Sequence, residues 1–198
     1  MINAGNNSDA SNGYEVIADQ FIKNRQQSNI GIDVIRDWAR ALPAGASVLD
    51  LGCGFGQPVS EIFINSGFSL YGLDASPTLV SEFQKRFPGV PVSCATVMES
   101  DFFGKSFDAV IAIGLIFLLA EDEQKNLIKK VSSILNFNGR FLFTAPWQEC
   151  SWNDILTGTA SRSLGRETYL SLFNENGLRL VDEYTDEGEN HYFDVIRN

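Results

Sequence analysis

Basic residues are in short supply. The chain of 198 residues has 15 lysines and arginines against 25 aspartates and glutamates, a formal net charge of −10. Nucleic acid and anionic membrane are therefore not expected as partners, because both are held by basic patches. Cysteine occurs three times, at Cys53, Cys94 and Cys150, and histidine once, at His191. The cysteines are odd in number and far apart. They make neither a metal-ligand spacing nor a disulfide framework, so no metal is expected and a reduced, cytoplasmic protein is. No apolar run approaches the roughly 20 residues that cross a bilayer. The N-terminus lacks the basic start and apolar middle of a signal peptide.

What is present is an ordinary globular balance, 44% hydrophobic and 20% charged, in a length that suits one domain with a full core. Residues 1–13, "MINAGNNSDASNG", are small and polar and are expected to form a flexible tail. From Tyr14 to Leu42 apolar residues recur at three- and four-residue spacing, which predicts two helices broken at "NRQQSN". The chain then alternates. "SVLDLG" predicts a strand, followed by a helix from about Gln57 to Ser66. "FSLYGLD" is a second strand, and Ser76-Pro77 opens a helix to about Phe87. "VPVSCA" is a short third strand, and "SFDAVIAIG" a fourth, apolar enough to be buried on both faces. A helix over Glu121 to Leu135 leads into a fifth strand, "NFNGRFLFTAP". A helix over Arg166 to Asn176 precedes two last strands, "LRLVDEYTD" and "HYFDVIRN". Their connection, "EGEN", is of hairpin length, too short for a parallel crossover. The fold class is therefore α/β. The sheet is doubly wound and mostly parallel, with one antiparallel strand near the C-terminal edge and helices on both faces.

The residues that carry chemistry lie just after the first strand. In open parallel sheets, ligands bind beyond the carboxyl ends of the strands, where strand order reverses. Gly52, Gly54 and Gly56 stand there in "VLDLGCGFGQP". Without Cβ atoms they permit a tight turn and let a ligand lie against bare backbone. A plain strand-to-helix turn would need only one of them. Dinucleotide sites use Gly-x-Gly-x-x-Gly, but the last position here is Gln57 or Val59, depending on the register. Asp50 also precedes the first glycine by two. A pyrophosphate would be repelled by that carboxylate, whereas a cationic ligand would be attracted to it.

"VLDLGCGFG" resembles motif I of the class I S-adenosylmethionine-dependent methyltransferases, and the resemblance extends from about Tyr14 to Asn198. It implies a Rossmann-like, seven-stranded sheet of order 3-2-1-4-5-7-6 and S-adenosylmethionine as cofactor, with S-adenosylhomocysteine as product. Residues 14–198 would form one domain: a helical lid over 14–42, a cofactor-binding core over 43–146, and an acceptor-side segment with the last two strands over 147–198. "LYGLDAS" is similar to the family's second motif. By resemblance Asp74 holds the ribose hydroxyls, a task suited to a group that only accepts hydrogen bonds, with Ala75 and Ser76 beside it. Without a ligand, Asp74 reads as a charge at a helix N-terminus. Asp50 would lie near the cofactor's amino or sulfonium side. Gly52, Cys53, Gly54, Gly56 and Gln57 would line its methionine and ribose part, with Ile113, Gly114 and Leu115 as the floor. Many relatives carry an acid after the third strand that reads the adenine amino group. Here Thr96 replaces it, a loss of about 1 kcal/mol on the scale of one neutral hydrogen bond. Val97 and Met98 either pack on the adenine or belong to the core. "GYEVIADQFIKNR" is similar to the family's opening helix, in which Tyr14 and Arg25 either meet the cofactor's carboxylate or belong to a plain surface.

The acceptor is less defined. Phe117 follows the fourth strand, where relatives often carry a histidine or another polar or aromatic residue. Trp147 and Trp152 either wall an acceptor site or fill a loop. The segment "APWQECSWNDILTGTASRSLGRE" shows little regular pattern. His191 is either a catalytic base or a polar residue at a hairpin edge. The resemblance implies that the turn before it lies on the side opposite the cofactor, which counts against catalysis by its acids. The sequence is therefore expected to encode a methyltransferase for a small-molecule acceptor, as monomer or homodimer. A non-catalytic module holding S-adenosylmethionine or S-adenosylhomocysteine ranks second, a protein acceptor behind it, and a nicotinamide-dependent oxidoreductase last.

Overall fold

Apolar strands pair first, because their backbone groups and both side-chain faces leave water together. The computed structural model describes residues 9–198. Its main sheet contains β1 (Ser47–Leu51), β2 (Ser69–Asp74), β3 (Val92–Cys94), β4 (Phe107–Ala112), β5 (Leu135–Thr144), β8 (Leu178–Thr185) and β9 (His191–Arg197). They lie in the order β3-β2-β1-β4-β5-β9-β8. This is the expected order, with β8 and β9 as the sixth and seventh strands. All pairings from β3 to β5 are parallel, and β9 runs antiparallel to both β5 and β8.

Side chains alternate across the central strands and build two core layers. Leu49, Leu51, Val110 and Phe143 face one layer. There α5 (Glu121–Ile134) brings Leu127, Ile128 and Val131, and α6 (Arg166–Glu175) brings Tyr169 and Phe173. Val48, Ala109, Ile111 and Leu142 face the other. There α2 (Ile32–Arg40) brings Ile35 and Trp38, α3 (Val59–Asn65) brings Phe63, and α4 (Pro77–Arg86) brings Phe83. Each such large side chain contributes about 1.5–3 kcal/mol when fully buried.

Three local features differ from the expectations. The segment after β5 is not irregular but a hairpin of β6 (Glu149–Asn153) and β7 (Ala160–Leu164). Its strands bury few apolar groups and so show no apolar alternation: Glu149, Cys150, Ser151 and Asn153 are all exposed. The turn residues "NDILTGT" were the available signal. Asp154 closes that turn, its Oδ1 accepting from the backbone N–H of Leu156 and Thr157 at 3.0 and 2.8 Å. The first helix, α1, begins at Ala18 and runs to Gln26, with Tyr14 to Ile17 in turns. Of the expected tail, residues 1–8 lie outside the described residues. Asp9 to Gly13 form a hydrogen-bonded turn instead, in which Asp9 accepts from the backbone N–H of Ser11 and Gly13.

Candidate functional site

The carboxyl ends of β1, β2, β4 and β5 converge on a cavity of about 370 Å³. The turn after β1 forms its base. The N–H groups of Gly52 and Cys53 both donate to Leu73 O, at 2.8 and 3.0 Å, which pins the turn to β2. Gly54 holds a left-handed φ of 54°, and a Cβ there would meet only Phe21, at 3.5 Å. Its N–H donates to Asp74 Oδ2 at 2.8 Å, and Ser76 N–H donates to Oδ1 at 2.8 Å. Burial pushes the Asp74 carboxyl up, against these backbone donors.

Many of the expected residues meet here. Gly52, Gly54, Asp74, Ala75, Thr96 and Val97 line one side of the cavity. Ile113, Gly114, Leu115 and Phe117 line the side beyond β4, and Tyr14 and Arg25 join the lining from the N-terminal segment. Thr96 Oγ1 accepts from Glu99 N–H at 3.1 Å and donates to Glu99 Oε2 at 2.9 Å, leaving it one lone pair to offer. Burial lowers the pKa of Arg25, whose guanidinium donates to Ser28 Oγ at 3.3 Å.

Others lie elsewhere. Asp50 is buried below the turn, takes a hydrogen bond from Ser60 Oγ at 2.6 Å, and is pushed up to about 7 by burial. Cys53 is buried against β2, where a Cβ on Gly72 would meet its Sγ at 2.9 Å. Gly56 serves packing: a Cβ there would come 2.5 Å from Phe87 and 2.9 Å from Phe83. Gln57 donates to Glu61 Oε1 at 3.0 Å, and Ser76 Oγ caps α4 at Leu79 N–H. Met98 packs against the core, its Sδ 3.7 Å from Asn126 Nδ2. Trp147 is 55% exposed, and Trp152 reaches the site only through Phe117, whose ring is 5.4 Å away. None of these eight residues or His191 is part of the cavity lining. His191 Nε2 pairs with Glu183 Oε1 at 3.0 Å, and the His191 ring rests edge-on against Phe193.

The β8–β9 turn requires a correction. It lies on the cavity side, not opposite, and Asp186, Asn190 and Tyr192 line the cavity with Thr144. The register explains it. β9 starts opposite the end of β5, with Tyr192 beside Thr144, so the turn before it stands at the carboxyl ends of the parallel strands. The hairpin-length connection carried that information in the sequence. Phe21 and Leu79 also line the cavity; both lay on predicted helix faces with no signal separating ligand contact from core.

Glu15 fastens the N-terminal segment over the cavity. Its carboxylate accepts from Ser76 Oγ, from Thr78 N–H at 3.1 Å and from Thr78 Oγ1 at 2.7 Å. The hydroxyls of Ser76 and Thr78 hold its pKa below the ordinary carboxylate value. A lowered folded pKa means that the tether is fully present above the ordinary value of about 4.3 and is lost as pH falls through the folded one. Amide exchange of residues 9–17, corrected for intrinsic rates, is therefore expected to speed up at acid pH. Glu15→Ala should show the faster exchange already at pH 7, a local loss of about 1 kcal/mol on the scale of a helix cap. Wild-type exchange in that variant would refute the tether.

Residues 48–139 match the model of a methyltransferase domain family. Over 179 residues the chain is 27% identical to sarcosine/dimethylglycine N-methyltransferase of Aphanothece halophytica, covering 83% of this chain and 62% of that protein. Over 113 residues it is 29% identical to carboxy-S-adenosyl-L-methionine synthase of Campylobacter concisus, covering 54% of this chain and 47% of that protein. The chain thus spans less than two thirds of the length of these relatives. The CcbJ methyltransferase from Streptomyces caelestis superposes with a TM-score of 0.74 at 16% identity, covering 96% of this chain and 98% of that one. An S-adenosylmethionine-bound amino pentose methyltransferase from Micromonospora echinaspora superposes with a TM-score of 0.72 at 18% identity, covering 90% and 96%. At these identities the structures speak to fold: it is the Rossmann-like methyltransferase fold.

Proposed function

We propose, from the match of residues 48–139 to the methyltransferase domain family, that the cavity binds S-adenosylmethionine and that the protein methylates a small-molecule acceptor. The observation that carries this is the pairing of Gly54 N–H with the Asp74 carboxylate at 2.8 Å, both facing the cavity at the ends of β1 and β2. A nucleoside fits that arrangement. The missing Cβ of Gly54 leaves room above bare backbone, and Asp74 can accept from ribose hydroxyls. Leu79, Ala95 and Val97 supply an apolar slot for the base, and Thr96 Oγ1 keeps one lone pair for its amino group. Arg25 is the one cation among the described lining residues, suited to the amino-acid carboxylate. When bound, S-adenosylmethionine supplies an electrophilic methyl group on its sulfonium. The protein's own part is alignment and exclusion of water. Tyr14, Phe21 and Arg25 roof the cavity, while Leu115 and Phe117 make its far wall apolar. Structural neighbours solved with S-adenosylmethionine or S-adenosylhomocysteine bound support this cofactor.

Calorimetric titration with S-adenosylmethionine, S-adenosylhomocysteine and NAD, side by side, tests it. Micromolar binding of the first two and none of the third is expected. Binding of NAD alone would overturn the proposal. A second proposal, a binding module without turnover, draws on one observation: among the described residues, no histidine, lysine or cysteine lines the cavity. Turnover of labelled donor separates the two.

A further inference from the structure

The β8–β9 turn brings to the cavity a polar group that cofactor binding leaves unused. Asp186 is buried, and its carboxylate gathers donors from its own turn. Oδ1 accepts from the N–H groups of Gly188 and Asn190, each at 2.9 Å. The Asn190 side-chain nitrogen donates to both oxygens, at 3.1 and 3.0 Å, and Tyr192 Oη donates to Oδ2 at 2.8 Å. A side-chain amide has one donor end and one acceptor end. With its nitrogen held on Asp186, Asn190 turns Oδ1 away from that carboxylate, and no donor among the described residues reaches Oδ1. Asn190 is among the cavity-lining residues, and its Oδ1 is an acceptor with no donor from the described residues.

The lining residues also restrict the reaction. An alcohol attacking a methyl carbon must surrender its proton during the attack, which needs a positioned base. Of the carboxylates that line the cavity, Asp74 is held by Gly54 and Ser76 and given to the ribose in the cofactor site proposed above, and Asp186 is held by its own turn and by Tyr192. Burial keeps the phenols of Tyr14 and Tyr192 protonated, and Arg25 cannot accept a proton. Asp50 is sealed beneath the glycine turn and does not line the cavity. An amine needs no base at the moment of attack, because its ammonium product is stable near neutral pH. A thiolate would also need none, but it offers no proton to Asn190 Oδ1.

We propose that the acceptor is an amine whose N–H is received by Asn190 Oδ1, with Asp186 as the positioning residue behind it. This rests on the methyl-transfer function proposed above. The acceptor's ammonium first gives a proton to water; the nitrogen lone pair so freed forms the new N–C bond, the donor's S–CH3 bond breaks with its electron pair left on sulfur, and the methylated nitrogen keeps the positive charge as an ammonium. Asn190 turns its free oxygen to the remaining N–H and so aims the lone pair away from itself. Phe117, with Trp152 behind it, gives the acceptor's carbon skeleton an apolar wall.

The test uses matched acceptors. Protein saturated with S-adenosylhomocysteine is titrated with benzylamine and N-methylglycine, with their alcohol counterparts benzyl alcohol and glycolate, and with the corresponding thiols. The same panel is then offered with labelled S-adenosylmethionine. Binding and methylation of an amine, and of no alcohol or thiol, are expected. Asn190 is exposed, so Asn190→Ala should stay folded. It should raise the amine's dissociation constant and KM about tenfold, the scale of one lost hydrogen bond, with S-adenosylhomocysteine affinity within about twofold. Turnover confined to alcohols or thiols overturns the proposal. So does a protein that binds S-adenosylhomocysteine but no amine, or an Asn190→Ala variant with wild-type amine affinity. All three leave the cofactor assignment standing. Failure to bind S-adenosylhomocysteine overturns both.

Discussion

Gly54→Val is expected to abolish S-adenosylmethionine binding while the protein stays folded. The position faces the cavity, and its only near neighbour for an added Cβ is Phe21, at 3.5 Å. Valine would place a Cβ and two methyl groups in space assigned to the ligand, between Phe21 and Asp74. It would also strain the turn, because a β-branched residue resists a φ of 54°. The backbone strain is about 1–3 kcal/mol, which a domain of ordinary stability tolerates. The steric loss at the ligand is larger, and a weakening of more than about a hundredfold corresponds to about 3 kcal/mol. Gly67→Val is the matched control. Its φ is 81°, a Cβ there meets nothing within 4 Å, and it lies outside the cavity. Both variants should lose similar thermal stability, and only Gly54→Val should lose the ligand. Unchanged affinity in Gly54→Val would remove the glycine turn from the site.

The second large effect concerns the strand that carries Asn190 and Tyr192 to the cavity. Asp194 stands in the middle of β9 and is wholly buried. The Arg140 guanidinium on β5 grips it, with Nε 3.1 Å from Oδ1 and Nη2 on Oδ2, and Tyr184 Oη donates to Oδ2 at 3.1 Å. Removing one partner of such a pair strands a charge in the core. Arg140→Ala is expected to lower the unfolding free energy by about 3–5 kcal/mol, measured by urea denaturation. For a domain near 200 residues that is a fall of roughly 6–20 °C in Tm. Replacing both partners with apolar residues, Arg140→Met with Asp194→Leu, should recover most of the loss, since the desolvation cost goes with the charges. A loss below about 1 kcal/mol in Arg140→Ala would mean that the pair behaves like an exposed one and does not anchor β9.

Much of the molecule was legible in the sequence. The apolar runs from Val48 to Phe143 named the parallel strands, because a strand buried on both faces has no other composition. Gly52, Gly54 and Asp74 marked the site, since bare backbone and an acceptor-only group at consecutive strand ends are local requirements. The short connection before His191 named the antiparallel strand. Other features stayed hidden. Gly56 looked like a third ligand-facing glycine, and only the approach of Phe83 and Phe87 shows that it serves packing. His191 left two readings open, a base or a polar residue at a hairpin edge, and in the fold it pairs with Glu183 and is not part of the cavity lining. The β6–β7 hairpin carried no apolar alternation to betray it.

The sequence by itself thus determined the elements, their order and the chemistry of the first turn, because these follow from periodicity and backbone freedom within a few residues. Only the tertiary structure decided which groups share the cavity. Asp186 and Asn190 lie more than 100 residues from Asp74 along the chain, and β9 pairing with β5 carries their turn to the cavity rim. Strand register is set by the whole buried face of a sheet, not by any one segment, so which end of the sheet a hairpin turn reaches is settled when that face is packed.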